Sequence, residues 1–234
     1  MIMMKIVNAF KNLISLFYPY SCVACGNVLQ QNEQSLCVNC LLHLPETNYH
    51  LEKENPLQLI FRGRVPIENI SAFLFYKKAN QVQRILHSLK YNGNQEIGEF
   101  LGYYYGQQLI QQPDYQSIDC VIPIPLHYKK LKLRGYNQSE AIAKGLGKAM
   151  KIPVYTDVLI RNTYTDTQTK KSRFSRWKNV EHVFEVQNAE PIFNKHVLIC
   201  DDVLTTGATL EAGISKLLEN NISKISVVTL AVAH

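Results

Sequence analysis

The chain has 234 residues, 46% of them hydrophobic, and a formal net charge of +6, which is enough apolar material for one well-buried α/β domain with a small appendage. No run of about 18 uninterrupted apolar residues exists, so the composition excludes a membrane-spanning helix. The charge is unevenly placed: residues 129–178 hold thirteen Lys or Arg against three acids (Glu140, Asp157 and Asp166), a local +10 that leaves the rest of the chain at −4.

From the N-terminus, Ile6, Phe10, Leu13 and Phe17 recur at helical spacing, which predicts a short amphipathic helix ending before Pro19. Lys11 and Asn12 interrupt that stretch and no small-residue cleavage site follows, so it does not read as a signal peptide. Cys22-x2-Cys25 and Cys37-x2-Cys40 come next, two knuckles separated by eleven residues. Two tight turns at this spacing can place four thiolates tetrahedrally around one Zn2+. Four protein ligands leave no open position, so the zinc would be structural. Disulfides are the alternative, but they suit secreted chains. The expected location is therefore the cytoplasm.

Residues 46–66 are polar and weakly periodic and read as a linker, which divides the chain into an N-terminal helix and zinc ribbon over 1–45 and a larger domain over 67–234. In that domain the pattern predicts a strand over 70–76, then a helix over 81–91 with Val82, Ile85, Leu86 and Leu89 on one face and Gly93 as terminator. A second helix over 97–109 has Phe100, Leu101, Tyr104 and Leu109 as its expected apolar set. Residues 120–125 read as a strand cut short by prolines, 138–150 as a helix and 154–160 as an extended segment. A helix over 209–220 and a strand over 225–232 close the chain. Strands alternating with helices of this length imply a mostly parallel, twisted sheet covered on both faces. Cys120 and Cys200 lie in apolar strand patterns and read as small buried hydrophobes.

Residues 197–209 hold the most chemistry. The apolar run Val197, Leu198, Ile199, Cys200 delivers Asp201 and Asp202 into a turn containing Leu204, Thr205, Thr206, Gly207, Ala208 and Thr209. Ligands bind beyond the carboxyl ends of such strands. The loop offers backbone N–H groups, hydroxyls and a helix N-terminus to a phosphate, while the two carboxylates suit the hydroxyls of an adjoining ribose and can help hold a divalent cation. This is the chemistry of a ribose 5-phosphate grip. The Gly-x4-Gly-Lys-Ser/Thr order of a Walker loop is absent.

Along its full length this segment resembles the phosphoribosyl pyrophosphate (PRPP) motif of type I phosphoribosyltransferases. Pro123, Ile124, Pro125, Leu126 and His127, followed by Arg134, Gly135, Tyr136, Asn137 and Gln138, resemble the pyrophosphate-loop region of ComF/ComFC-type competence proteins. Lys90-Tyr91-x-Gly93 also fits that family, as do Arg161, Thr165, Gln168, Thr169, Ser172, Arg173, Arg176, Asn179, Val180 and Phe184 as its flexible hood. With the four-cysteine knuckles, the resemblance spans nearly all of residues 19–232. It implies a type I phosphoribosyltransferase fold with a hood, and Mg2+-dependent transfer of a phosphoribosyl group to an unknown acceptor in the service of natural competence and DNA uptake. In that reading Asp201 and Asp202 hold the ribose and are catalytic together with Arg173, and the 204–209 loop holds the 5-phosphate. Pro125, Arg134, Lys171 and Arg176 meet the pyrophosphate. No Cys stands at position 2, so the glutamine-hydrolysing half of purine-pathway amidotransferases is missing. The alternative is a non-catalytic protein that binds single-stranded DNA and competence-machinery partners and uses the PRPP site as a switch. The four-cysteine ribbon and the basic segment would then grip the DNA, with Tyr128, Tyr136, Phe174 and Trp177 stacking on bases.

Overall fold

Runs of β-branched and aliphatic residues flanked by amphipathic stretches build the core of the protein. The computed structural model describes residues 20–78, 80–91, 93–161 and 183–233. The helix expected before Pro19 and most of the hood, including Lys171, Arg173 and Arg176, lie outside the described residues.

In chain order the elements are α1 (Val38–Leu42), a 3-10 turn (Tyr49–Leu51), α2 (Gln58–Phe61), β1 (Ile70–Tyr76), α3 (Gln81–Tyr91), α4 (Gln95–Leu109), α5 (Pro113–Gln116) and β2 (Cys120–Pro123). There follow α6 (Tyr128–Arg134), α7 (Gln138–Met150), β3 (Leu159–Arg161), β4 (Phe184–Val186), β5 (His196–Leu204), α8 (Ala208–Leu218) and β6 (Lys224–Ala233). β1, β6, β5 and β2 form one sheet in that order with every pairing parallel. β3 and β4 pair antiparallel in a separate two-stranded sheet.

A central parallel strand is buried on both faces, and β5 shows why its sequence is an unbroken apolar run. Val197 and Ile199 pack with Leu210, Ile214 and Leu217 of α8, whereas Leu198 and Cys200 pack into the opposite core with Leu89, Leu101 and Leu146 of α3, α4 and α7. Each such aliphatic side chain contributes about 1.5–3 kcal/mol by leaving water. The fold is the parallel, doubly covered sheet that the alternation of elements predicts.

The pairing of α4 with α7 departs from the expected pattern. Phe100 and Tyr104 are only half-buried, while Ile97, Leu101, Tyr105 and Leu109 are buried together with Gly98, Gly102 and Gly106. A Cβ on Gly106 would stand 2.7 Å from Ala149 Cβ, and one on Gly145 of α7 would stand 2.5 Å from the backbone N of Tyr103. The glycines let the two backbones touch, which rotates the buried face by one position. Tyr105 then stacks on Phe73 at 4.8 Å and donates its hydroxyl to Ser71 Oγ at 2.6 Å.

The extended segment expected over 154–160 is divided. Val154 bridges in parallel to Val121, with Tyr155 N donating to Val121 O, and residues 159–161 then leave the sheet edge to pair with β4. Residues 46–66, read above as a linker, carry α2 and lie along β1. Glu46 bridges to Leu74, Asn55 Nδ2 donates to Ile70 O at 2.8 Å, and Leu57 and Phe61 are buried in the core shared with α8.

Candidate functional site

The parallel sheet directs the carboxyl ends of its strands toward one edge, and the chemistry gathers there. β5 runs further than its apolar stretch, so Asp201, Asp202 and Leu204 are strand residues and the turn begins at Thr205. Leu204 is buried beneath that turn, while Thr205, Thr206, Ala208 and Thr209 are exposed. Gly207 adopts φ +78 at the N-cap of α8, the left-handed region that favours glycine, and a Cβ there would stand 2.8 Å from Ile60 Cγ2 and 3.0 Å from Phe61 Cζ. The turn thus rests on α2 and opens a helix whose first N–H groups have no partner within the helix. Such an end, flanked by three threonine hydroxyls, is a ready anion site.

The two acids behave differently. Asp201 accepts from Ser139 Oγ at 2.7 Å and from the backbone N of Asp202 at 2.8 Å. Burial, reinforced by the neighbouring charge of Asp202, pushes its carboxyl up to about 7. Asp202 instead forms an ion pair with Lys90 Nζ at 3.0 Å, with both side chains largely buried. Arg161 comes from a third direction, its guanidinium 5.4 Å from the Phe184 ring. Burial draws Arg161 below its ordinary range, and the charge of Asp201 opposes that shift.

The loop between β2 and α7 forms the facing wall. Ile124 N donates to Cys200 O at 2.9 Å, which seats Pro125 and the following turn beside β5, and Asn137 Nδ2 donates to Ile124 O at 2.9 Å. Gly135 ends α6 at φ +78, and Asn137 caps α7 by accepting from Ser139 N. Arg134 is tethered in this wall: its Nη1 donates to Gln138 Oε1 at 2.6 Å and its guanidinium lies 5.5 Å from the Tyr91 ring centroid. Tyr136, expected among the base-stacking aromatics, is buried and donates its hydroxyl to Leu89 O, so packing removes it from that role. Tyr128 remains exposed on α6, whose residues include no buried ones.

Asp201, Asp202, Pro125, Arg134 and the 204–209 turn are therefore all carried by segments at the carboxyl edge of the sheet. Ser139 is not among the residues expected from the sequence, and Lys90, Tyr91 and Gln138 entered only through the family pattern. Ser139 was detectable in principle, because it follows directly on the Asn137-Gln138 start of α7.

The four cysteines form a separate cluster. Their sulfurs lie within 4.8 Å of one another, with Cys25 Sγ and Cys37 Sγ 3.8 Å apart. Gly26 takes φ +82 after the first pair, and Cys40 N donates to Cys37 Sγ at 3.4 Å in the second. Burial and then the adjoining sulfurs raise the Cys40 thiol well above its ordinary range. Four thiolates this close repel one another, and a cation among them removes that penalty. The cluster could hold a metal ion. Cys120 and Cys200 are buried in the core as small hydrophobes, and burial pushes the Cys120 thiol up to about 12.

Among the described residues no helix is long and apolar enough to cross a membrane. Residues 134–234 match the family described as phosphoribosyl transferase domain. Competence protein F of Haemophilus influenzae is 28% identical over 227 residues, covering 92% of this chain and 85% of that protein. DNA utilization protein YhgH of Escherichia coli (strain K12) is 25% identical over 209 residues, covering 88% of this chain and 87% of that protein. Among solved structures, glutamine PRPP amidotransferase from B. subtilis, complexed with ADP and GMP, aligns at 19% identity with a TM-score of 0.43, over 62% of this chain and 30% of that one. The chain is similar over most of its length to Competence protein F and YhgH, and its residues 134–234 match the phosphoribosyl transferase domain family.

Proposed function

We propose that the protein binds PRPP with Mg2+ and transfers its phosphoribosyl group to an acceptor in the course of competence and DNA utilisation. The observation that carries this reading is the placement of Asp201 and Asp202 at the end of a buried parallel strand, directly beside a Gly207-capped helix N-terminus. In phosphoribosyl transfer the sugar gains positive charge while pyrophosphate leaves as an anion, so fixed electrostatics carries the catalysis. Asp202 accepts from a ribose hydroxyl, and Asp201, with a carboxyl that titrates near neutrality, can accept or donate there. The 205–209 turn holds the 5-phosphate. Arg134 and the hood cations Lys171, Arg173 and Arg176 meet the leaving pyrophosphate, with Arg173 as the catalytic cation. Mg2+, when bound, neutralises the pyrophosphate, and the carboxylates here are of the hard oxygen type that such an ion takes.

Zinc fits the cysteine cluster. A tetrahedron with Zn–S bonds of about 2.3 Å has edges of about 3.8 Å, and the sulfurs of Cys25 and Cys37 are 3.8 Å apart. All four positions are filled by protein, so this metal is structural and takes no part in transfer.

Asp201→Ala/Asp202→Ala is expected to abolish PRPP binding, a loss of at least a hundredfold, while the protein stays folded. Titration calorimetry on the double variant checks this, and an unchanged affinity would move the site elsewhere.

A second reading is favoured by the exposed α6, which presents Tyr128, Lys129, Lys130 and Lys132 beside the site, and by a relative named for DNA utilisation. In it the basic segment grips single-stranded DNA through phosphate contacts. Binding should then weaken steeply with salt, and the salt slope should shrink when Lys170, Lys171 and Arg173 are replaced together. PRPP and DNA should compete, because one set of cations serves both. A filter-binding series at rising salt, with and without PRPP, reads both effects, and no DNA binding at low salt would leave the transferase reading alone.

A further inference from the structure

Three contacts fasten the last turn of α3 to the site. The Leu89 carbonyl accepts from the Tyr136 hydroxyl, the Tyr91 ring lies under the Arg134 guanidinium, and Lys90 Nζ pairs with Asp202 Oδ2. α3 otherwise belongs to the core, with Val82, Ile85, Leu86 and Leu89 buried. Lys90 therefore points from a fixed scaffold rather than from a loop, and its side chain keeps 24% of its surface exposed. A lysine at a helix C-terminus is also favoured by the helix dipole, but that end effect needs no carboxylate from a distant strand. Here the ammonium reaches across to one of the two acids of the ribose grip, on the side where Arg134 also sits.

The geometry of the ligand makes this placement informative. In PRPP the pyrophosphate is carried on C1, the neighbour of the C2 hydroxyl, so a cation 3.0 Å from a hydroxyl-holding carboxylate stands beside the pyrophosphate as well. When a ribose hydroxyl takes up Asp202, the ammonium is released from its partner and needs another anion within reach. We propose that Lys90 is a ligand-binding residue of this site, which holds Asp202 in the free protein and turns to the pyrophosphate of PRPP on binding. The inference rests on the PRPP reading above and adds a pyrophosphate contact from α3, outside the 134–234 domain match and outside the hood. Before the ligand arrives, the ion pair also offsets the charge of Asp202 beside Asp201.

The test compares two ligands on three proteins by calorimetric titration in Mg2+: PRPP, and ribose 5-phosphate, which lacks the pyrophosphate, on wild type, Lys90→Gln and Lys90→Arg. Lys90→Gln is expected to weaken PRPP at least tenfold and ribose 5-phosphate less than threefold, since the variant still offers Asp202 to the ribose. Lys90→Arg is expected to restore PRPP affinity to within about fivefold of wild type, because a guanidinium also serves a phosphate. A lysine that only props up Asp202 would instead weaken both ligands alike, and unchanged PRPP affinity in Lys90→Gln would equally overturn the proposal. If wild type binds PRPP and either of these results is found, the Lys90 inference fails alone. If wild type binds neither ligand, the PRPP reading fails and takes this one with it. Thermal unfolding of each variant without ligand separates a binding loss from a folding loss.

Discussion

Gly145→Ala is expected to destabilise the protein by about 3 kcal/mol or more, because the added methyl meets backbone rather than a yielding side chain. Its Cβ would press against the Glu99 carbonyl and lie 2.5 Å from Tyr103 N and 2.9 Å from Gly102 C. The two helices would have to move apart, and the pair they form is the wall behind Ser139 and Asp201. Gly98→Ala provides the comparison. There the new methyl meets Leu89 Cδ1 at 2.8 Å and Ala141 Cβ at 3.0 Å, both side-chain atoms, and the leucine can turn away. Its cost should be at most about half that of Gly145→Ala. Urea unfolding of both variants measures the difference, and a Gly145→Ala protein as stable as wild type would mean that the helices are not in backbone contact.

Purified protein is expected to carry one zinc per chain, and Cys40→Ser should cost several kcal/mol of stability through loss of the metal. The effect should not stay within the ribbon. Cys22, Ala24, Leu36, Cys37, Cys40 and Leu44 share one core with Phe73 of β1 and with Val82, Ile85 and Leu86 of α3. Loosening the knuckles therefore exposes apolar surface on the larger domain as well. Elemental analysis together with thermal unfolding of wild type and Cys40→Ser checks this. Absence of zinc, or a variant as stable as wild type, would contradict a structural metal.

What could be read from the residues was whatever depends on neighbours in the chain. The Val197 to Cys200 run, the two acids after it and the threonine turn specify a buried strand ending in a turn that opens a helix, because each element sets the next. The cysteine knuckles are legible for the same reason, since the spacing within each pair is itself the geometry. Contacts across the chain were not legible. Lys90 and Asp202 meet only because the fold brings the last turn of α3 to the carboxyl end of β5, and no periodicity in either segment announces the pair. Tyr105 displaces Tyr104 from the core because three glycines, spaced one turn apart, admit the backbone of α7. Glycines add little hydrophobicity to a helix face and so leave no apolar signal, although Gly98, Gly102 and Gly106 form a regular series in the sequence. Tyr136 reads as an exposed aromatic within a basic stretch, but its ring packs into the core and its hydroxyl finds the Leu89 carbonyl there.

Thermal unfolding with and without PRPP and Mg2+ tests the central claim most directly, because a ligand that binds only the folded state must raise its stability. At a hundred times its Kd, PRPP should stabilise wild type by about 2.7 kcal/mol and leave Asp201→Ala/Asp202→Ala unmoved. A wild-type protein that does not respond, or a double variant that responds as strongly, would contradict the assignment of the β5 carboxylates to the ribose of PRPP.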